Sequence, residues 1–291
     1  MRKKILNEMI RKALFYILLI AFALVMFLPF YWSIITSIKP NNEIFAMPIK
    51  WFPSKFTFEH YVEAFTTVRF ARFFGNSFFL ASTGVVLNLF FGSLAGYSFA
   101  KLKFRGKEVA FKVLLSSFMV PGIVTMIPQF ILLKNFPLMG GNNIFGNGGV
   151  GLLNSYLAII LPGAAGTFGV FLMRQFFMTL PDELAEAARI DGASEFKTFW
   201  KIYMPLTKPA LAALSIFTFQ AGWNSFLWPM IVLTDPDKAT IQMALQAFSY
   251  NKSTNYGAMM AGSLVAIIPL FILFVFAQKY FIRGIAFSGI K

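Results

Sequence analysis

Two groups of residues in this 291-residue chain have types and spacings suited to gripping another molecule. The first is Glu186-Ala187-Ala188 followed by Asp191-Gly192-Ala193 and Phe196, inside the charged stretch TLPDELAEAARIDGASEFKTFWKIYMPLTKP that begins at Thr179. Small residues at helical spacing let another backbone approach closely, and the flanking Glu186 and Arg189 offer charge to a partner. The second group is Gln220, Trp223, Asn224 and Trp228. Ring faces pack on C–H surfaces and amides supply hydrogen bonds, which is the chemistry that holds a sugar, and Gln220, Trp223 and Asn224 fall close to one helix face. Asn224 could equally satisfy the backbone of a neighbouring helix. Asn88, Gln129 and Asn154 are further amides of this kind. Covalent chemistry is not indicated. No GxxxxGK[ST], HExxH or GxSxG is present, and without cysteine and with His60 as its one histidine the chain excludes disulfides and iron–sulfur ligation and nearly excludes a His or Cys zinc site.

The elements that must carry the first group can be read from their punctuation. Thr179 with Asp182 in capping-box position, Pro181 in the first turn, and Asp182, Glu183 and Glu186 at the positive end of the dipole predict a helix over about 180–191. Gly192 suits a left-handed stop, and Ser194 can cap a second short helix bearing Phe196, Phe199, Trp200 and Tyr203, which Pro205 ends. Leu184, Ala187, Ala188 and Ile190 form the expected small-residue face. So many aromatic rings on a polar segment need a groove, in the chain's own bundle or in a partner.

The rest of the chain is apolar: 57% of residues are hydrophobic, 13% are charged, 38 are Phe, and the mean hydropathy is positive. This composition is that of an all-α polytopic membrane protein. Charge-free runs predict six spans, near 13–38, 73–100, 113–133, 152–173, 209–234 and 258–280, each long enough to cross about 30 Å of hydrocarbon. The first run is too long for a signal h-region and has no small-residue cleavage site after it, so it reads as a retained span after a short cytoplasmic N-terminus, 1–12. Of the 26 Lys and Arg residues, 18 fall on the face shared by both termini, which places N- and C-termini in the cytoplasm. The formal charge of +14 follows from that topology and from contact with anionic headgroups, and no soluble basic module exists to bind nucleic acid. Residues 179–208 then form a cytoplasmic loop between spans four and five. On the outer side lie a helix over FEHYVEAFTTVRFARFF with Tyr61, Phe65, Val68 and Phe73 on one stripe, a Gly/Asn-rich loop at 134–151, and a segment at 235–252 too short to span. His60 reads as a surface or interfacial residue. Gly92 and Gly96 form a small-xxx-small pair suited to packing within the bundle.

Apart from Lys279 at the edge of the last, the six predicted spans contain no Asp, Glu, Lys or Arg, which disfavours a proton relay, an ion-coupled pump or intramembrane catalysis. A passive pore, or a transporter driven by another subunit, remains. Here the residues resemble a known family. Glu186-Ala187-Ala188, two residues, Asp191-Gly192-Ala193, then an aromatic-rich helix before Pro205 resemble the EAA loop of the membrane subunits of ABC importers. The ordered set Asn76-Ser77, GYSFAKLKFRGK from Gly96, MVPGIVTMIPQF from Met119, FGVFLMRQFF from Phe168, FTFQAGWNSFLWPMIVLTDP from Phe217 and FAQKYFIRGIAFSGIK from Phe276 is similar to the maltose-type carbohydrate permeases.

The resemblance implies a type I ABC importer permease fold in a bacterial or archaeal cell membrane. It implies a second homologous permease, two cytosolic ATPase subunits that bind ATP and Mg, an extracytoplasmic solute-binding protein, and a carbohydrate substrate. The chain itself would bind no cofactor or metal and would not be an enzyme. Glu186, Ala187, Ala188, Asp191, Gly192, Ala193 and Phe196 would couple it to an ATPase, and Gln220, Trp223, Asn224 and Trp228 would line the substrate path. The alternatives are the same fold for a polyol or glycerol phosphate, or an ATP-independent channel or secondary carrier.

Overall fold

In a computed structural model, residues 2–67, 69–250 and 255–288 are described. The described residues are helical, with turns and loops and no strand among them. In chain order the helices are α1 (Arg2–Ile38), α2 (Asn41–Ile44), α3 (Glu59–Thr67), α4 (Phe70–Lys101), α5 (Lys107–Ser116), α6 (Gly122–Lys134), α7 (Leu157–Gly163), α8 (Thr167–Met178), α9 (Glu183–Ile190) and α10 (Glu195–Thr198). They continue as α11 (Met204–Leu206), α12 (Lys208–Trp223), α13 (Leu227–Val232), α14 (Ile241–Tyr250) and α15 (Tyr256–Ser288).

Asn7–Ile38, Phe70–Lys101, Leu157–Met178 and Tyr256–Gln278 are each long and apolar enough to cross a membrane. Three of the predicted spans are not single helices, and one of them, the fourth span near 152–173, is divided between α7 and α8. The run at 113–133 is divided between α5 and α6, which meet at 106°. The break has a local cause: a 3-10 turn at Ser117–Met119 runs into Val120, which is extended because Pro121 follows it. The run at 209–234 stops as a helix at Trp223, and α13 resumes only at Leu227. Pro229 has no N–H with which to carry the hydrogen-bond ladder back across Asn224–Phe226.

The chain divides into two compact units. The first comprises Met1–Phe70 and Leu245–Ile267. In it, every side chain from Asn7 to Phe30 is exposed, whereas the C-terminal end of α1 meets its own chain. There Ser37 Oγ lies 2.9 Å from Tyr61 Oη on α3. His60 is buried, not superficial: its Nε2 lies 2.7 Å from the Lys39 carbonyl, and its ring leaves no room for a Cβ at Gly257. The inward face of α3 is His60 and Ala64, one position off the stripe of Tyr61 and Phe65, and Ala64 packs with Phe248 and Ala258. Val68 lies outside the described residues.

The second unit comprises Ala71–Ala244 and Ile268–Lys291. Its main core joins Tyr97, Met173, Phe177, Phe199, Tyr203 and Leu214, from α4, α8, the aromatic segment after α10, and α12. Close approach of α4 to α8 requires Gly96, since a Cβ there would come 2.7 Å from Met173 Cβ and 2.9 Å from the Arg174 nitrogen. The small-xxx-small pair therefore packs within the chain. Asn76 and Ser77 act as a clasp: Asn76 Nδ2 donates to the carbonyls of Asp237 and Ala239, both at 2.9 Å, and Ser77 Oγ accepts the Ile241 N–H at 2.8 Å. The Gly/Asn-rich loop folds around Asn142, which donates to the carbonyls of Lys134 and Phe136 and accepts from the Gly149 N–H.

Candidate functional site

The charged segment between α8 and α12 builds a rigid frame with one free face. Helix α9 begins later than its punctuation predicts. Thr179 does not cap it; its hydroxyl donates back to the Phe176 carbonyl at 2.8 Å, and the N-cap residue is Asp182. The Asp182 carboxylate does not cap either, because it is taken by Lys101. The Lys101 ammonium at the end of α4 lies 2.5 Å from Asp182 Oδ1 and 2.6 Å from the Leu180 carbonyl, and it stands over the Tyr203 ring at 5.5 Å. The hydrogen bond from Lys101 holds the Asp182 carboxyl below its ordinary range.

The far end of α9 follows the expected chemistry. Gly192 has φ +73°, its N–H reaches the Arg189 carbonyl at 3.0 Å, and the Ala193 N–H reaches the Ala188 carbonyl at 2.9 Å. That pair of bonds is a Schellman stop, and the left-handed residue in it strongly favours glycine. Ser194 then accepts the Lys197 N–H and caps α10. Arg189 is bound at 2.8 Å by Glu195, whose other oxygen accepts from Tyr97 Oη at 3.1 Å, so α9, α10 and α4 are joined through one carboxylate.

The aromatic segment divides its rings between two destinations. Phe199 and Tyr203 are buried in the chain's own core against Tyr97 and Phe177, and Tyr203 Oη donates to the Pro181 carbonyl. Phe196 and Trp200 stay exposed and lie parallel to one another with centroids 6.5 Å apart. A π-helical turn over Phe199–Tyr203 produces this division. Pro205 does not end the segment: the backbone stays helical to Leu206 and then bends by 81° into α12. On α9 the buried positions are Ala185 and Ala188, not the full predicted face, and Ala187 and Ile190 look outward with Glu186. Ile190 is 87% exposed, more than its apolar side chain would be on a finished surface. Glu186 has no hydrogen-bond or ion-pair partner among the described residues. It lines a cavity of about 450 Å³ with Lys101, Lys103, Asp182, Arg189 and Glu195.

The second predicted group is not one surface. Trp223 is buried, stacked on Phe219 at 5.6 Å and edge-on to Phe74 at 5.1 Å. Trp228 spends its indole N–H on the Ala158 carbonyl at 3.1 Å. Gln220 and Asn224 are exposed, and Asn224 Oδ1 accepts from Gln242 Nε2 at 3.3 Å. Of the other amides, Asn154 is a clip, accepting the N–H groups of Thr234 and Asp235. Asn88 is buried between glycines of α8 and the break before it, with its Oδ1 unpartnered. Arg72, just before the second predicted span, is paired with Asp237 at 2.9 Å. Among the described residues no group of three His, Cys, Asp or Glu could hold a metal ion. The clasp of Asn76 and Ser77 and the link through Lys101 escape a sequence reading based on runs and caps, because each depends on a partner about 80 or more residues away.

A helical, multi-pass chain agrees with its relatives. The chain belongs to the family described as the binding-protein-dependent transport system inner membrane component, whose pattern matches residues 88–287. It is 35% identical over 282 residues to the arabinooligosaccharides transport system permease protein AraQ of Halalkalibacterium halodurans, covering 95% of this chain and 96% of that one. It is 30% identical over 269 residues to the diacetylchitobiose uptake system permease protein NgcG of Streptomyces coelicolor, covering 92% and 85%. Among solved structures it resembles a bacterial ABC transporter involved in import of the acidic polysaccharide alginate, with TM-score 0.81, 26% identity, and coverage of 94% of this chain and 98% of that one. The protein is thus an ABC transporter permease subunit embedded in the membrane through its apolar helices.

Proposed function

We propose that this permease imports a carbohydrate, using energy delivered to the outward face of α9 by a cytosolic ATPase. The single observation that carries the coupling role is the combination of Glu186 without a partner and Ile190 exposed on a helix fixed at both ends by Lys101–Asp182 and Arg189–Glu195. A helix so held transmits displacement to α4 and α12, and its free face is apolar with one carboxylate, the composition of a docking element. Ala187 lies on that outward face, whereas Ala188 seats the helix. Gly192 and Ala193 close it, Asp191 sits at its C-cap, and Phe196 stacked with Trp200 extends the apolar surface.

In this reading the chain crosses the membrane six times with both termini in the cytoplasm. The bent α5–α6 pair counts as one crossing and α12–α13 as another, since Glu195, Lys197 and Lys201 keep the segment before α12 out of lipid. A homologous permease completes the path, two ATPase subunits carry ATP and Mg, and a solute-binding protein supplies sugar from outside. Gln220 and Asn224 present amides to the path, while Trp223 and Trp228 hold their helices in place. The carbohydrate assignment is supported by the named substrates of the relatives.

The test is substrate-stimulated ATP hydrolysis by the reconstituted complex. Glu186→Ala and Gly192→Pro should abolish the stimulation while the subunit still inserts and assembles. Stimulation at the unaltered level in both would overturn the coupling role.

A further inference from the structure

The fourth span is broken in its middle, and its two halves pack with different neighbours. α7 ends at Gly163 and α8 starts at Thr167, with Gly166 between them in extended backbone. Among the described residues no backbone hydrogen bond runs from an N–H of α8 to a carbonyl of α7, and the N–H groups of Ala165 and Gly166 have no partner. On α7, Ala158 packs with Leu133, Leu152, Val232 and Leu233, and its carbonyl accepts from Trp228. On α8, Met173 and Phe177 share a core with Phe199 and Tyr203 of the coupling segment.

The same division appears along α4. A Cβ at Gly92 would lie 3.3 Å from the Gly169 backbone and one at Gly96 would strike Met173, so α8 is seated on α4. Gly84, by contrast, faces open space, as does Gly163 at the end of α7. A cavity of about 300 Å³ lies there, and its lining includes Gly84, Asn88, Ile160 and Gly163. Asn88 stands at the boundary. A Cβ at Gly169 would lie 2.1 Å from its Oδ1 and one at Gly166 would lie 2.7 Å from its Nδ2. Nδ2 donates to the Gly163 carbonyl over a long 3.5 Å, and the buried Oδ1 accepts nothing. An unpaired amide oxygen buried in a membrane-spanning segment opposes the arrangement that leaves it so. Gly166, whose own N–H is unpaired, lies against the same amide. We propose that residues 164–166 are a hinge on which α7 swings into the cavity toward α4 while α8 stays seated, and that Asn88 is the positioning residue that sets the two positions. In the open position Nδ2 holds the Gly163 carbonyl, and in the closed one Oδ1 receives an N–H of the hinge. A few residues at the end of an element are enough to absorb such a change.

This inference rests on the ATP-driven transport proposed above. Because the chain lacks cysteine, Gly84→Cys with Ile160→Cys places one thiol on each wall of the cavity. In the assembled transporter their oxidation to a disulfide should differ several-fold in rate between the nucleotide-free and ATP-bound states, and the bond should block transport until it is reduced. Asn88→Leu and Asn88→Ala, which remove both hydrogen-bonding groups with and without the bulk, should each bring the two rates together. A purely structural role for Asn88 would lower the yield of complex and leave the ratio of rates as it was. A disulfide formed equally in both states or in neither, or a ratio unchanged in the Asn88 variants, would overturn the proposal. Unaltered stimulation in Glu186→Ala and Gly192→Pro would strike only the coupling role, so the two readings fail separately.

Discussion

Lys101 Nζ lies 2.5 Å from Asp182 Oδ1, with the lysine side chain 6% exposed and the aspartate 79% exposed. The last residue of a membrane helix thus grips the N-cap residue of α9, and bonds the Leu180 carbonyl as well. Since the carboxylate is open to water, the pair contributes little through charge alone, and its role is positional. Lys101→Met should lower stability by only about 1 kcal/mol. It should also reduce substrate-stimulated ATP hydrolysis several-fold with basal hydrolysis retained, as measured on the reconstituted complex. Coupling equal to that of the unaltered protein would show that α4 and α9 move independently.

Helix contact between α4 and α8 makes a sharper prediction about packing. At Gly96 an added Cβ meets backbone and Cβ atoms under 3 Å away, whereas at Gly84 on the same helix it meets nothing within 4 Å. Gly96→Ala should destabilise the subunit by about 1–3 kcal/mol, the usual cost of overpacking. Gly84→Ala should be neutral or slightly stabilising. Thermal inactivation of the purified complex in detergent distinguishes the two.

The amide pair and its supporting ring should separate in the same way. Trp223→Ala empties a core position and should cost about 3–5 kcal/mol, seen as loss of assembled complex. Asn224→Ala and Gln220→Ala remove exposed groups, and should lower transport in proteoliposomes with assembly and basal ATP hydrolysis intact. If these two variants transported normally, the path would lie elsewhere.

The loop after α1 has a pH signature. Hydrogen bonds from Lys50 and Ser54 bring the Glu43 carboxyl from an ordinary 4.5 down to about 2. A depressed pKa means the folded state favours the ionised form. The stabilisation is therefore complete above about 4.5 and is lost as pH falls toward about 2. Hydrogen exchange at Ser54 and its neighbours, corrected for intrinsic rate, should accelerate on acidification through that window. In Glu43→Gln protection should be lower at neutral pH and flat across it.

What could be read in advance follows physical lines. Gly192 and Ser194 were legible because a stop and a cap are decided by local backbone demands, and both operate as their residue types predict. Thr179 failed because a competing bond to Phe176 and the distant Lys101 outweigh a local cap. Charge-free runs report the solvent around a segment, not the continuity of its helix, so the breaks at Pro121 and Asn224 are invisible to them. His60 is misplaced by its polarity: an amphipathic side chain is placed by what packs against it, here Gly257.

The central claim is that the outward face of α9 meets an ATPase subunit. The absence of native cysteine allows a photoreactive group to be placed at Ile190→Cys, on an 87% exposed side chain of that helix, in the assembled transporter. Illumination should join this chain to the ATPase, with a yield that changes between nucleotide-free and ATP-bound states, and the same group at Met139→Cys on the loop after α6 should not. An adduct absent from the ATPase at Ile190, or equal at both positions, would contradict the account.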